Sequence, residues 1–449
     1  MIGFETIGNA TVICHDRVPV LCTDPWVTGS AYFGSWTHKF ELPPDQLRSI
    51  ESCPYVWFSH GHPDHLNPDS LPRFKGRTIL LPDHYGGRIA RDLGSQGFTV
   101  KILENKKWYP LSEKISILCL SDYNQDAILL INLNGRLLLN MNDATNRDWM
   151  GFIRSVTSQF EKTFLLRLVN HGDADMINLF DEQGRRAVPP FLKSVPLGAK
   201  VQAKLAATGC RYYVPFSTFH VYQRTDSIWA NEYVVFDPKE FSEGFKGSPD
   251  QILPANVRYD CETDAYEEIG SQALPLTPKP PEAFGDNWSD QLEKEDKELA
   301  RRYFTSIESL RRSIDFIRLV VGGEETVIEI SKRGFKSGIT FEVPRNSLVA
   351  ALRWEIFDDL LIGNFMKTTL HNIKSLYPDF TPYVAKYADN GRAKTDAELK
   401  AYWREYRRRN PLAMFKHELS MKTTQRLRNY ILADGRLIRL AYAAYKRVS

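Results

Sequence analysis

Although the chain holds six cysteines, no two of them form a C-x-x-C pair; they stand apart at Cys14, Cys22, Cys53, Cys119, Cys210 and Cys261. That scatter excludes a finger-type structural zinc and leaves buried, reduced thiols as the expected state. No run of about 18 apolar residues occurs, so no membrane-spanning helix is expected. The opening "MIGFETIGNA" lacks the charged-then-apolar layout of a secretory leader, and a cytoplasmic protein is expected. Neither a G-x-x-x-x-G-K-[ST] loop nor a G-x-S-x-G elbow is present, which removes P-loop and serine-hydrolase chemistry. Histidine is scarce as well, ten in 449 residues, yet three of the ten fall between positions 60 and 65.

What remains has the composition of a soluble globular protein: 43% apolar, 12% aromatic and 25% charged residues. A chain of this length exceeds one ordinary core, so two or three domains are expected. The net charge of +3 conceals an asymmetry. From Gly391 to Ser449, fifteen Lys or Arg face five Asp or Glu, a balance of +10 that leaves −7 for the rest. A basic tail on an acidic body suits an anionic substrate or an acidic partner, or is simply a solvated helix face.

"ETIGNATVICH" and "VPVLCTDPW" read as strands joined at "DR", and "YVWFSH" is a short apolar strand ending at His60. "TILLPD", "TVKILE" and "KISILCL" continue the pattern, and "AILLINLNGRLLLNMND" is a hairpin turning at Asn134-Gly135. Helices are read in "RDWMGFIRSVTSQFEK" and "FLKSVPLGAKVQAKLAATG"; "CRYYVPFSTF" is taken as one strand running up to His220. Residues 1–272 thus form a layered α/β domain. The segment 273–290, with four prolines in seven residues, reads as a linker. Residues 291–449 read as a smaller α+β domain: a charged helix, three strands, helices through "NSLVAALRWEIFDDLLIGNFMKTTLHNI", and the basic helical tail.

The pattern His60-x-His62-x-Asp64-His65 follows the "YVWF" strand directly. Metal ions need several lone pairs converging on one point, and strand-end loops on a rigid scaffold can supply them. His60 and His62 can face one ion while Asp64 and His65 face a second.

With "HGHPDH" intact after its strand, the chain resembles the metallo-β-lactamase fold superfamily, an αββα sandwich, with "TDPW" matching its Asp-bearing strand end at Asp24. The resemblance implies a bridging carboxylate at Asp143 in "NMNDAT"; the other reading of Asp143 is a helix N-cap. A closer likeness, to the lactamase-like part of CMP-N-acetylneuraminic acid hydroxylase, rests on "SHGHPDHL", "GRLLLNMNDAT", "YYVPFSTFHVYQRTDSIWANEY" and "EIFDDLLIGNF" in order. The second domain is similar to a sterol-carrier fold.

Two departures from that pattern shape the expectation. The hydroxylase begins with a Rieske domain, but neither C-x-H nor C-x-x-H occurs here, so electrons are expected from an external, acidic donor such as a ferredoxin. Zinc hydrolases of the fold also place a histidine before the bridging Asp, whereas no histidine stands between His84 and His171. Asp122 is the nearest replacement. The expected ligand set is then His60, His62 and Asp122, with Asp64, His65 and His220, and Asp143 between; His171 rivals His220. Asp122 and Asp143 are the expected catalytic residues. Oxygen-rich ligation suits two iron ions and dioxygen. The resemblance implies a non-haem two-iron oxygenase that hydroxylates a C–H bond of a small metabolite, the alternative being a two-metal hydrolase (zinc or manganese) of a phosphoester, lactone or amide. No nucleic-acid partner is expected, and the substrate, whether sugar nucleotide or acyl-linked metabolite, is not written in the sequence.

Overall fold

A computed structural model describes residues 1–144, 149–168, 176–187, 196–217, 219–234, 238–412, 414–416 and 418–419. Its first part is two sheets packed face to face. One sheet has eight strands in the spatial order Tyr266–Glu268, Val257–Asp260, Ile2–Ile7, Thr11–Asp16, Val18–Thr23, Tyr55–Trp57, Thr78–Pro82 and Thr99–Leu103. The other has six: Tyr212–Pro215, Thr163–Arg167, Arg136–Asn142, Ala127–Leu133, Ile115–Ser121 and Trp108–Pro110. Phe4, Val12, Leu21, Trp57 and Leu80 of the first sheet share one apolar cluster with Ile117, Leu129, Leu138 and Phe164 of the second.

Both outer faces are covered by helices. Ile50 of the helix Pro44–Ser52 and Leu93 of Arg88–Ser95 pack on Ile13, Val56 and Ile79 of the first sheet. Ile153 of Met150–Thr157 and Val201 of Leu197–Thr208 pack on Leu118, Leu130 and Leu139 of the second. The result is an αββα sandwich. Strands covered on both faces need no polar alternation, which is why "AILLINL" is buried at every position but Asn132. The expected hairpin turn is present, with Asn134 and Gly135 at φ 49° and 80° closing the Leu133–Arg136 pair.

The remaining residues build a five-stranded sheet in the order Leu179–Phe180, Lys367–His371, Gly338–Glu342, Phe316–Val321 and Glu324–Glu329. Its core, including Phe304, Phe341, Leu360 and Phe380, is continuous with Trp26, Tyr32, Trp36 and Tyr222 of the sandwich side. Three local expectations are corrected. "ETIGNATVICH" is two strands, broken where Gly8 takes φ 66°. "CRYYVPFSTF" stops as a strand at Pro215; His220 opens a separate strand, His220–Tyr222, paired with Trp36–His38. "KTTLH", read as helical, is a strand because its β-branched Thr368 and Thr369 find pairing partners on both sides, in Phe341 and Thr340 and in Leu179 and Phe180. Among the described residues no helix is long and apolar enough to cross a membrane.

Candidate metal centre

The motif lies where the strand Tyr55–Trp57 ends, in the interior of the parallel run Val18–Thr23, Tyr55–Trp57, Thr78–Pro82. Neighbouring strands cover both its edges, so the chain can leave the sheet only at the end, carrying its polar residues to one rim. Asp24 ends the adjacent strand at φ 41° and holds the departing loop. Its backbone N–H donates to the Trp57 carbonyl at 2.8 Å, and its Oδ1 accepts from the Ser59 N–H at 2.7 Å. Its other oxygen, Oδ2, lies 3.2 Å from His65 Nδ1. A carboxylate on Nδ1 fixes the ring and turns Nε2 toward the site, the arrangement metal-ligating histidines commonly have.

Imidazoles and carboxylates meet in two adjoining groups. In the first, one ligand atom each from His60, His65 and Asp143 lies within 4.8 Å of the others. Asp143 Oδ2 is 3.4 Å from His65 Nε2 and 4.0 Å from His60 Nε2, while its Oδ1 accepts from Ser217 Oγ at 2.7 Å. The second group is His62, Asp358 and Asp359. His62 Nε2 stands 3.1 Å from Asp358 Oδ2, and the groups touch where His60 Nε2 and His62 Nδ1 are 2.9 Å apart. Asp64 borders both: its Oδ2 is 3.4 Å from His65 Nε2 and accepts from Asn9 Nδ2 at 3.0 Å, and its Oδ1 accepts from Tyr32 at 2.6 Å.

The electrostatics follow from burial and neighbours. Burial first, then the nearby His65 and His62, hold His60 well below the usual imidazole range. Burial would lower His62 too, but the Asp358 hydrogen bond and the charges of Asp358, Asp359 and Asp64 outweigh it and raise it to about 9. Asp143, whose burial would raise it, is lowered by His65 and by its Ser217 hydrogen bond.

His220 is buried and stacked on Trp36 at 3.4 Å between ring centroids, with both ring nitrogens lacking a hydrogen-bond partner. Buried polar nitrogens are rarely left without a partner. An ion could relieve only one of the two, and His220 joins neither group; the fit to a metal rests on the convergence of His60, His65 and Asp143 and of His62, Asp358 and Asp359. His171 lies outside the described residues. Asp122, expected beside His60 and His62, joins neither group. Its Oδ1 accepts from the backbone N–H groups of Asn124 at 2.7 Å and Asp126 at 3.2 Å, binding it into its own turn. Asn9, Tyr32, Ser217, Asp358 and Asp359 were not expected in the site. Only the last two carried a legible sign, the "DD" of "EIFDDLLIGNF", and nothing local ties it to position 62.

No family model matches the chain. Over 136 residues, 28% of the chain, it is 27% identical to the cytidine monophosphate-N-acetylneuraminic acid hydroxylase of Asterias rubens. Over 98 residues, 21% of the chain, it is 34% identical to a Mycolicibacterium smegmatis protein carrying the provisional name of a Rieske 2Fe-2S iron-sulfur protein. The chain spans 21% and 18% of the length of these two relatives. Among solved structures, the isothiocyanate hydrolase from Delia radicum gut bacteria is 14% identical with a TM-score of 0.37, over 56% of this chain and 95% of that one. With its two stacked sheets, helices on both outer faces and the motif at a strand end, the chain has the αββα arrangement of the metallo-β-lactamase fold and carries residues that could hold a metal ion, and over about a quarter of its length its sequence resembles the CMP-N-acetylneuraminic acid hydroxylases.

Proposed function

We propose that this centre belongs to a non-haem two-iron oxygenase that hydroxylates a C–H bond of a small metabolite, using dioxygen and electrons delivered from outside the chain. The observation that carries the reading is the density of acidic oxygens among the imidazoles: Asp64, Asp143, Asp358 and Asp359 crowd around His60, His62 and His65. Hard anionic donors favour iron or manganese over an imidazole-rich zinc site. The hydroxylase named among the sequence relatives supports the same reading.

His60, His62, Asp64, His65, Asp143 and His220 would hold the metal pair, which when bound supplies the dioxygen activation that protein side chains cannot. Asp122 is left out of this reading, since it joins neither group and its Oδ1 accepts from the backbone of its own turn. The protein's own work is positional. Asp24 orients His65, Ser217 orients Asp143, and Tyr32 and Asn9 fix Asp64. A cavity of about 120 Å³ opens beside His60, walled by Phe58, Leu81 and Ile89 with His84 at its edge. Apolar walls admit the reacting end of a small metabolite while limiting water.

For the electron donor, the exposed arginines of the helix Asp396–Arg409 are the docking surface in this reading. Arg409 does not belong to it, being 12% exposed and paired with Glu405 and Asp83.

Elemental analysis of protein grown with ample iron tests the proposal. About two irons per chain, with dioxygen consumed on reduction, is the expected result. About two zincs per chain with turnover of simple esters makes it a hydrolase instead.

A further inference from the structure

We infer that Asp358 and Asp359 are metal ligands, so that the centre is closed by a short helix from the second part of the chain rather than by the sandwich alone. The inference rests on the reading that the rim binds a metal pair, and it assigns the second ion to His62, Asp358 and Asp359.

Burial and partnering carry it. Asp358 and Asp359 are 5% and 6% exposed, and their carboxylates converge with His62 within 4.8 Å. A purely structural ion pair would account for Asp358, which sits 3.1 Å from His62 Nε2. It leaves Asp359 unexplained, because that carboxylate accepts no hydrogen bond among the described residues while facing the like charges of Asp358 and Asp64. His62 and Arg88 are the cationic groups that face Asp359, and Arg88 is itself engaged by Asp92 and by the Trp354 and Glu355 carbonyls, so Asp359 is left without a donor among the described residues. A divalent cation supplies the missing partner.

The helix is also held as a ligand-bearing element must be. Phe357, Leu360 and Leu361 anchor it in the apolar core. On its N-terminal side, Arg88 of the sandwich donates to the Glu355 carbonyl at 2.7 Å. On its C-terminal side, Ser35 Oγ donates to the Gly363 carbonyl at 2.6 Å and Asn364 Nδ2 donates to the Tyr222 hydroxyl at 2.9 Å. Contacts from the sandwich therefore set where the two carboxylates point.

The test uses the full chain, stripped with a chelator and titrated with cobalt(II), read by bound metal and by thermal unfolding with and without the ion. The wild type should take up about two cobalt ions and the Asp358→Asn/Asp359→Asn double variant about one. Asp359→Asn alone should weaken the second ion by at least about 10-fold. Because the amide keeps the shape of the carboxyl and brings no charge into the buried site, that single variant should not lower the melting temperature of the metal-free protein. Two ions bound with unchanged affinity in the double variant would overturn the inference, as would a wild type that takes up only one. So would an Asp359→Asn loss of stability that is the same with and without metal. Failure of the oxygenase reading is separable: a chain that hydrolyses esters but shows these stoichiometries retains the ligand assignment and loses the chemistry.

Discussion

Oδ2 of Asp24 lies 3.2 Å from Nδ1 of His65, and both side chains are fully buried. One residue ends a strand and the other ends the motif, so the sheet orients the imidazole through a buried carboxylate on its Nδ1 side. Asp24→Asn keeps an oxygen for the Ser59 N–H but loses the charge behind the imidazole. Metal affinity, measured by competition with a chelator, is expected to fall about 10- to 100-fold. An unchanged affinity would show that the pair is structural only.

His220 gives a prediction of opposite sign for the two states of the protein. Its unpartnered ring nitrogens cost stability while no metal is bound. Phenylalanine preserves the stack on Trp36 and removes the buried polar atoms. His220→Phe should therefore melt no lower than wild type without metal, yet retain less metal after dialysis. A variant that loses stability equally in both states would remove His220 from the ligand set.

Away from the site, Glu5 tests the sheet by pH. Burial would raise its carboxyl, but His15, whose Nε2 lies 3.5 Å from Oε2, and the hydrogen bond from Arg258 outweigh this and hold it below its ordinary value of 4.5. A lowered folded-state value means that the ionised carboxylate stabilises the fold above its unfolded value and that this contribution is lost as pH falls through the folded one. Glu5→Gln should cost about 1–3 kcal/mol at neutral pH by denaturant unfolding. The gap to wild type should close under acid. A gap independent of pH would mean the loss is one of packing.

Docking of an acidic electron donor predicts a reduction rate that falls steeply with salt and with Arg407→Glu and Arg408→Glu. Both arginines are exposed and their pairs with Glu418 and Glu405 lie at the surface, where an ion pair contributes little, so reversal should slow reduction without unfolding the helix. Arg409→Glu should instead destabilise the protein, because its guanidinium also donates to Ser121 Oγ at 3.2 Å. Stopped-flow reduction that is indifferent to salt would contradict this docking.

How much of the centre could be read in advance follows from sequence separation. His60, His62, Asp64 and His65 sit within one turn of chain, and the apolar strand before them was plain. The hairpin leading to Asp143 was equally local, fixed by Asn134-Gly135. Asp358 lies 296 positions from the imidazole it meets, and no periodicity reports such a distance. Asp122, expected as a ligand from its place before a hairpin strand, has its Oδ1 held by backbone donors two and four residues on, a local contact that the spacing alone does not report. The strand Lys367–His371 was hidden because an apolar helix precedes it and its partner Leu179–Phe180 is remote in sequence.

Mössbauer spectroscopy of the full chain reconstituted with iron and then reduced tests the central claim most directly. The account predicts iron bound as a magnetically coupled pair that, once reduced, is oxidised on exposure to dioxygen and returns to the reduced state when a reductant is added. Magnetically isolated iron, or a pair that stays reduced in dioxygen, would contradict it.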